Sequence, residues 1–326
     1  MATLAEMKSD PIDWRKIAAS CGMHPCILDY PTIHVPQMLC THGERAAAEA
    51  ACREVLHRRP GEIAAWNWLT SFLEVDGRFS EAEFCCRRGH ELGLAGSGLP
   101  ARAVGRLLRF RMAADGYGRY PSRVPSEYVS DLFDHCADGF ERHLRKLKYR
   151  GPELVCGALK RAIRRRCNPL MILDAGCGTG LAGKLLKPLA RRLEGVDLSA
   201  KMLEKARSHS LYDSLHKSEL VAFLANRAAC YDAIVAVDVL EYFGNLGPVL
   251  KGAQAALRKR GLFVFSVEAA ASGLYSLAPT RRYLHSEPYL RRCSERAGFQ
   301  VVDLRRETLR LESRQPVAGL VTVLRK

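Results

Sequence analysis

The sequence has no apolar run near the ~20 residues that a bilayer requires. Nor does it begin with a positively charged start followed by an apolar stretch and a small-residue cleavage site. A soluble, cytoplasmic protein with no membrane partner is therefore expected. CxxC pairs are also missing, and the twelve cysteines are spread from Cys21 to Cys293, which favours reduced thiols over a disulfide scaffold. Cys21, His24, Cys26, His34, Cys40 and His42 crowd one segment, but their spacings match no common zinc template, so no metal is expected. Acidic residues are in deficit: 35 against 50 basic ones, a formal charge of +15. That imbalance favours anionic partners, nucleic acid among them, and says nothing about fold. The basic residues form short clusters rather than one tail: Lys160-Arg161 with Arg164-Arg165-Arg166, Arg258-Lys259-Arg260, Arg281-Arg282 and Arg291-Arg292. Most of them read as solvated helix faces.

What remains is ample for more than one core. The chain has 326 residues, 48% of them apolar, and domains run at roughly 100 to 200 residues. Gly43 and Gly77 lie 34 residues apart, with Ala48 and Ala82, and Cys52 and Cys86, at the same offset. That is the period of the tetratricopeptide repeat, a helix-turn-helix unit. In the second copy Trp66, Leu69, Leu73, Gly77, Phe79 and Ala82 match the unit's large, small and turn positions, while Gly89 and Leu94 depart from its usual Ala and Pro. Pro31 and Pro36 interrupt the first helix of the first copy. The expected organisation is an N-terminal extension over 1–40, a repeat-like helical domain over 41–125 ending in an irregular junction from about 97, and a catalytic domain over 126–326. The helical part is expected to bind a partner protein, to support a dimer or merely to cap the enzyme.

From Tyr128 to Leu147 apolar residues recur at helical spacing until Gly151-Pro152, and a second amphipathic helix is expected from Glu153 to about Arg166. Thereafter short apolar runs alternate with helical segments: Leu170–Leu173, Leu193–Val196, Ala233–Val237, Leu262–Val267 and Val301–Leu304. This is the pattern of a parallel sheet covered on both faces, and Val317–Leu324 reads as a last, antiparallel strand. In such a sheet ligands sit beyond the carboxyl ends of the strands. The turn after the first strand is Asp174-Ala-Gly176-Cys177-Gly178-Thr-Gly180, whose glycines let backbone amides approach a ligand. The helix from Leu181 turns its positive end toward a carboxylate, such as that of the methionyl part of S-adenosylmethionine (SAM). Gly178-Thr-Gly180-Leu-Ala-Gly183 also satisfies the dinucleotide spacing GxGxxG, so a nicotinamide or flavin cofactor stays open. Asp174 tilts the balance, because it would receive an ammonium group and repel a pyrophosphate. Asp197 can accept from ribose hydroxyls in either case, and the strand from Tyr231 runs into an acidic and aromatic mouth, Asp238-Val-Leu-Glu241-Tyr242-Phe243.

These residues resemble the class I SAM-dependent methyltransferase superfamily over roughly 128–326. Tyr128-Val-Ser-Asp-Leu-Phe133-Asp134, Leu147-Lys-Tyr149-Arg150-Gly-Pro152 and Arg282-Tyr283-Leu-His285-Ser286-Glu-Pro-Tyr289 are similar to bacterial methyltransferases that carry tetratricopeptide repeats. The resemblance implies a seven-stranded Rossmann-like α/β sheet of order 3-2-1-4-5-7-6. It further implies that Asp197 holds the ribose, that Leu198 and Met202 flank the adenine, and that Glu219-Leu220 meet its edge. At the Glu219 position that family usually has Asp. Methyl transfer is mainly a matter of alignment, worth up to ~7–11 kcal/mol. Where the acceptor needs deprotonation, His285 is the first candidate base, with Glu241 and Tyr242 next; the bland reading of His285 is a backbone contact beside Ser286 as the cap of the following helix. Phe133 is expected over the cofactor pocket. The chain lacks both the [DNS]PP[YFW] sequence of amino-methylating nucleic-acid enzymes and the Pro-Cys nucleophile of cytosine C5 enzymes, so a small-molecule or carrier-bound O, N or carboxylate acceptor is expected. The competing class is an interaction scaffold whose SAM domain serves as a sensor.

Overall fold

Apolar residues two apart along the central strands feed two separate cores, and this alternation places the rest of the C-terminal unit. In the computed structural model, which describes residues 12–21, 23, 34–95, 99–114, 120–163, 168–312 and 314–326, the chain divides into units 1–120 and 121–326.

In the second unit β1 (Leu170–Ala175), β2 (Ala190–Asp197), β3 (Ser214–Lys217), β4 (Tyr231–Ala236) and β5 (Leu257–Ala269) pair in parallel as β3-β2-β1-β4-β5. Beyond β5 the sheet is mixed: β9 (Gln315–Arg325) runs antiparallel to both β5 and β8 (Gln300–Glu312). Leu173, Ala175, Ile234, Ala236, Phe263 and Phe265 pack on one face with α12 (Leu220–Ala225), α13 (Gly247–Ala256) and α14 (Glu287–Arg296). Their neighbours Ile172, Ala233, Val235, Leu262 and Val264 pack on the other with α9 (Gly151–Ala162) and α10 (Leu181–Leu186). Period-two burial on both faces is what a sheet clothed in helices demands.

Three features differ from the sequence reading. Among the described residues the sheet has nine strands, because a short hairpin, β6 (Tyr275–Leu277) and β7 (Tyr283–His285), adds to the end of β5 through Glu268–Leu284 and Ala269–His285. The expected helix over 128–147 breaks into α7 (Ser126–Cys136) and α8 (Phe140–Lys146), with Gly139 at the N-cap of the second. Finally, β8 and β9 are far longer than their apolar centres, since β8 continues through the charged residues Arg305–Glu312. The helix read to about Arg166 ends at Ala162, and 164–167 lie outside the described residues. The last helix is capped by Ser286, whose hydroxyl accepts from Tyr289 N at 3.3 Å.

The first unit is helical: α1 (Trp14–Ser20), α2 (His34–Thr41), α3 (Arg45–Arg58), α4 (Ile63–Val75), α5 (Phe79–Ala95) and α6 (Leu99–Ala114). Pro36 sits in the first turn of α2, where its missing amide costs nothing. Trp14, Ala18, Val35 and Leu39 share one core with α3 to α5, so the described part of the segment read as an extension packs with the helices that follow. The residues read as a junction contain α6, whose Val104, Leu108 and Met112, four apart, pack against Ile63 and Cys86. Gly89 stands close to α6: a Cβ there would lie 2.5 Å from Leu108 Cδ1. His24 and Cys26 of the Cys/His cluster lie outside the described residues, and all ten cysteines within them are free. Among the described residues no helix is long and apolar enough to cross a membrane.

Candidate functional site

Strand order fixes where the site lies. Because β1 has β2 on one side and β4 on the other, the chain leaves their carboxyl ends in diverging directions and opens a crevice. Register aligns the acids along it: Asp174 pairs with Gly195 and Val235, Asp197 closes β2, and Asp238 follows β4. A cavity of about 730 Å³ opens there, within the range typical of small-ligand sites. Of the residues singled out in the sequence, Phe133, Asp174, Gly176, Cys177, Gly178, Asp197, Leu198, Glu219, Leu220, Asp238, Glu241 and Tyr242 line it.

The glycine turn is held from below. The amides of Gly176 and Cys177 donate to Val196 O at 2.7 and 3.0 Å. Gly176 has φ +72°, and a Cβ there would lie 2.2 Å from Val239 Cγ2; Gly178 has φ +53° and open space where its Cβ would be. Asp197 is clamped by the amides of Gly178 and Ser199, each at 2.9 Å. Burial raises its pKa, and those two bonds oppose the rise. Asp174 is fully buried, which pushes its carboxyl up to about 7; a 2.7 Å hydrogen bond from Tyr212 Oη lowers it and the Asp197 charge raises it further. Tyr212 was not picked out in the sequence. Its ring occupies the room left by Gly183 and Gly195, where a Cβ would fall 2.4 Å from the Tyr212 Oη and 3.0 Å from its Cδ1 respectively. The last glycine of the dinucleotide-like spacing thus makes way for an aromatic ring.

Two predicted cofactor contacts lie elsewhere. Gly180 and Met202 do not line the cavity; Met202 is buried in the first turn of α11 (Ala200–Ser208), its amide bonded to the capping Ser199 Oγ at 3.0 Å. Glu219 lines it, but its carboxylate caps α12 through Val221 N and Ala222 N and pairs with Arg123 at 3.2 Å. Leu220 remains as the apolar neighbour.

At the other end stands a buried ionic cluster. Asp238, a non-glycine residue at φ +52°, accepts from Ser266 Oγ at 2.6 Å and from Arg310 Nη1 at 3.3 Å. Arg310 also binds Glu268 and, at 2.8 Å, Glu312; Arg282 joins Glu268 at 3.1 Å, Glu312 at 2.8 Å and Glu241 at 3.5 Å. Four carboxylates therefore face two guanidinium groups. Glu241 is the odd member: it is 3% exposed, and its Oε2 has no hydrogen-bond partner among the described residues. Burial raises its pKa well above the usual range, the charges of Asp238 and Glu268 add to this, and Arg282 and Arg310 only partly offset it. A carboxyl so placed binds a proton more readily than a free one and, in its ionised form, can take one from a ligand hydroxyl. Neither arginine was read as functional; Arg310 enters only because β8 outruns its apolar part.

His285 is not in the cavity. It is buried at the end of β7, with Nε2 2.8 Å from Phe243 O and 3.2 Å from Gly244 O, and its ring stacks on Tyr289. Burial pulls its pKa down to about 4, so it is neutral and ties the turn that carries Glu241 and Tyr242 to the hairpin. The bland reading of this residue describes its position. Phe133 makes edge-to-face contacts with Phe140 at 5.9 Å and Tyr242 at 5.7 Å, joining α7, α8 and that turn.

A model of the methyltransferase domain family matches residues 128–304, more than half of the chain. Ubiquinone biosynthesis O-methyltransferase of Methylocella silvestris is 33% identical over 96 residues, 28% of this chain and 38% of that protein. Human methyltransferase-like protein 27 is 34% identical over 111 residues, 33% of this chain and 45% of that protein. The chain thus spans less than half the length of these curated relatives. Among solved structures, the 1,6-didemethyltoxoflavin-N1-methyltransferase of Burkholderia thailandensis, crystallised with 1,6-didemethyltoxoflavin and S-adenosylhomocysteine, superposes with a TM-score of 0.51 at 21% identity. The match covers 64% of this chain and 93% of that one, and shows a shared fold.

Proposed function

Because the chain belongs to the methyltransferase domain family, we propose that its second unit transfers a methyl group from SAM to a small-molecule or carrier-bound acceptor, with a hydroxyl as the favoured acceptor group. One observation carries this reading: two acids, the buried Asp174 and the half-buried Asp197, converge through the glycine turn on a single cavity that also holds Glu241 and Tyr242. The donor set fits the cofactor. An acidic wall suits ammonium, sulfonium and ribose hydroxyls and would repel the phosphates of a dinucleotide.

SAM, when bound, supplies a methyl carbon already activated by its sulfonium. The residues of this chain do the remaining work. Asp174 takes the ammonium, Asp197 takes the ribose hydroxyls with its free lone pairs, and Leu198 and Leu220 line the adenine. Gly178 offers room for close approach. Glu241 is the acceptor's base: its Oε2 accepts the hydroxyl proton, and Arg282 steadies its other oxygen. The likeness to ubiquinone biosynthesis O-methyltransferases supports an oxygen acceptor.

For the first unit, a repeat-like array that binds a partner or a second copy is proposed. In its support, the turns of the α2–α3 and α4–α5 hairpins carry Gly43 and Gly77 at φ +82° and +73°, and the repeat-spaced Ala48, Ala82, Cys52 and Cys86 are all buried.

Incubation of the full chain with methyl-labelled SAM and fractionated cell extract tests the activity. Glu241→Gln should cut incorporation by about a hundredfold, the lower end of what a general base contributes. Incorporation retained within a few fold would remove Glu241 from the chemistry, and none by the unaltered chain would contradict the enzyme reading.

A further inference from the structure

The helix α8 has no fully buried residue, although Phe140, Leu144 and Leu147 form an apolar stripe along it. That stripe lines the cavity half-covered, and beside it Arg142, His143 and Lys146 line the same cavity. Among the described residues, none of these three basic side chains has a carboxylate within ion-pair distance. The nearby acids face the other way: Glu141 lies 3.6 Å from His209 and Asp138 pairs with Lys205 at 2.8 Å, both partners belonging to or just following α11. In a cavity whose opposite walls are acidic, one helix thus keeps Arg142 and Lys146, without an ion-pair partner among the described residues, next to unfilled apolar surface. Phe133, packed edge-on against both Phe140 and Tyr242, links this wall to the turn that bears Glu241.

On the preceding reading of the cavity as a methyl-transfer site, we propose that α8 is the acceptor-recognition element and that the acceptor is an amphipathic anion. Its aromatic or aliphatic body covers Phe140, Leu144 and Leu147. Its carboxylate or phosphate is held by Arg142 and Lys146, with His143 beside them. Cations without a partner recognise an anion by charge-assisted hydrogen bonds, and an adjacent apolar strip adds the burial that a free inorganic ion lacks. The acidic wall then serves selection: it takes the cationic cofactor and turns away an anion bound in the wrong half.

The test uses the full chain saturated with S-adenosylhomocysteine and three probes of one shape, 2-naphthoate, 2-naphthyl phosphate and neutral 2-naphthamide, titrated calorimetrically. At least one anionic probe should bind about tenfold or more tighter than the amide, the scale of one charge-assisted contact, and should weaken as salt is raised. A lead for naphthoate marks a carboxylic-acid acceptor, and a lead for the phosphate marks a phosphorylated or phosphate-tethered one. The double variant Arg142→Ala, Lys146→Ala, exposed on a surface helix, should abolish the preference while leaving the S-adenosylhomocysteine Kd unchanged. Equal binding of amide and anions, failure of both anions to bind, or a preference that survives the double variant would overturn the proposal while cofactor binding stands. Failure of the unaltered chain to bind S-adenosylhomocysteine would instead overturn the methyl-transfer reading and the proposal with it.

Discussion

At Asp174 burial and ligand chemistry pull in opposite directions. The fold raises its pKa from the usual range near ~3.9 to about 7. A proton bound more tightly when folded contributes stability that is full below the unfolded value and is lost as pH rises through about 7. An ammonium placed beside it does the reverse and displaces that proton. Affinity for S-adenosylhomocysteine, which carries the ammonium, should therefore strengthen by about tenfold between pH 6 and pH 8. Calorimetry at several pH values checks this, and Asp174→Asn should flatten the profile and weaken binding at pH 8. A pH-independent Kd in the unaltered chain would refute the assignment. Asp174 was legible because an acid before alternating glycines, at the end of an apolar strand, has few structural uses. Tyr212, which tunes it, was not: it lies 38 residues further on, and its only trace is Gly183 and Gly195, the first of which fits the dinucleotide spacing equally well. His285 misled for a related reason. Sequence reveals a titratable ring but not the two carbonyls and the burial that neutralise it.

Elements explain which glycines matter and why. Gly176 is pressed against Val239, whereas Gly178 faces open cavity, although both have positive φ. Gly176→Ala should therefore cost about 2 kcal/mol or more of stability, combining strain with a clash. For Gly178→Ala only the ~1–2 kcal/mol of left-handed strain is expected, with a larger loss of S-adenosylhomocysteine affinity. Urea unfolding and calorimetry on the two variants separate them, and equal stability losses with equal affinities would contradict the geometry. The central strands were readable because both faces bury apolar residues at period two. Long β8 was not: its extension is rich in arginine and glutamate and becomes a strand only by pairing with β9. The break between α7 and α8 escaped the reading because apolar residues on either side of Gly139 keep helical phase. α6 escaped it because arginines separate its apolar positions.

At the scale of the molecule, the second unit contains every residue that lines the cavity, and the first is a helical body with its own core. The end of the cavity at Asp174 and Asp197 was legible because one strand-turn-helix passage and the end of the next strand supply it. The rest of the cavity was not, since it gathers residues from Arg123 to Arg310 that share no local pattern. Net charge suggested anionic partners without saying where on the molecule they would act. The central claim is that the two acids and the glycine turn form a SAM site and not a dinucleotide site. Calorimetric titration of the full chain with S-adenosylhomocysteine and with NADH tests it most directly. One-to-one binding of S-adenosylhomocysteine is predicted, weakened about tenfold or more in Asp197→Ala, on the scale of a hydrogen bond to a charged group, with no binding of NADH. Tight NADH binding, or an unchanged S-adenosylhomocysteine Kd in Asp197→Ala, would contradict it.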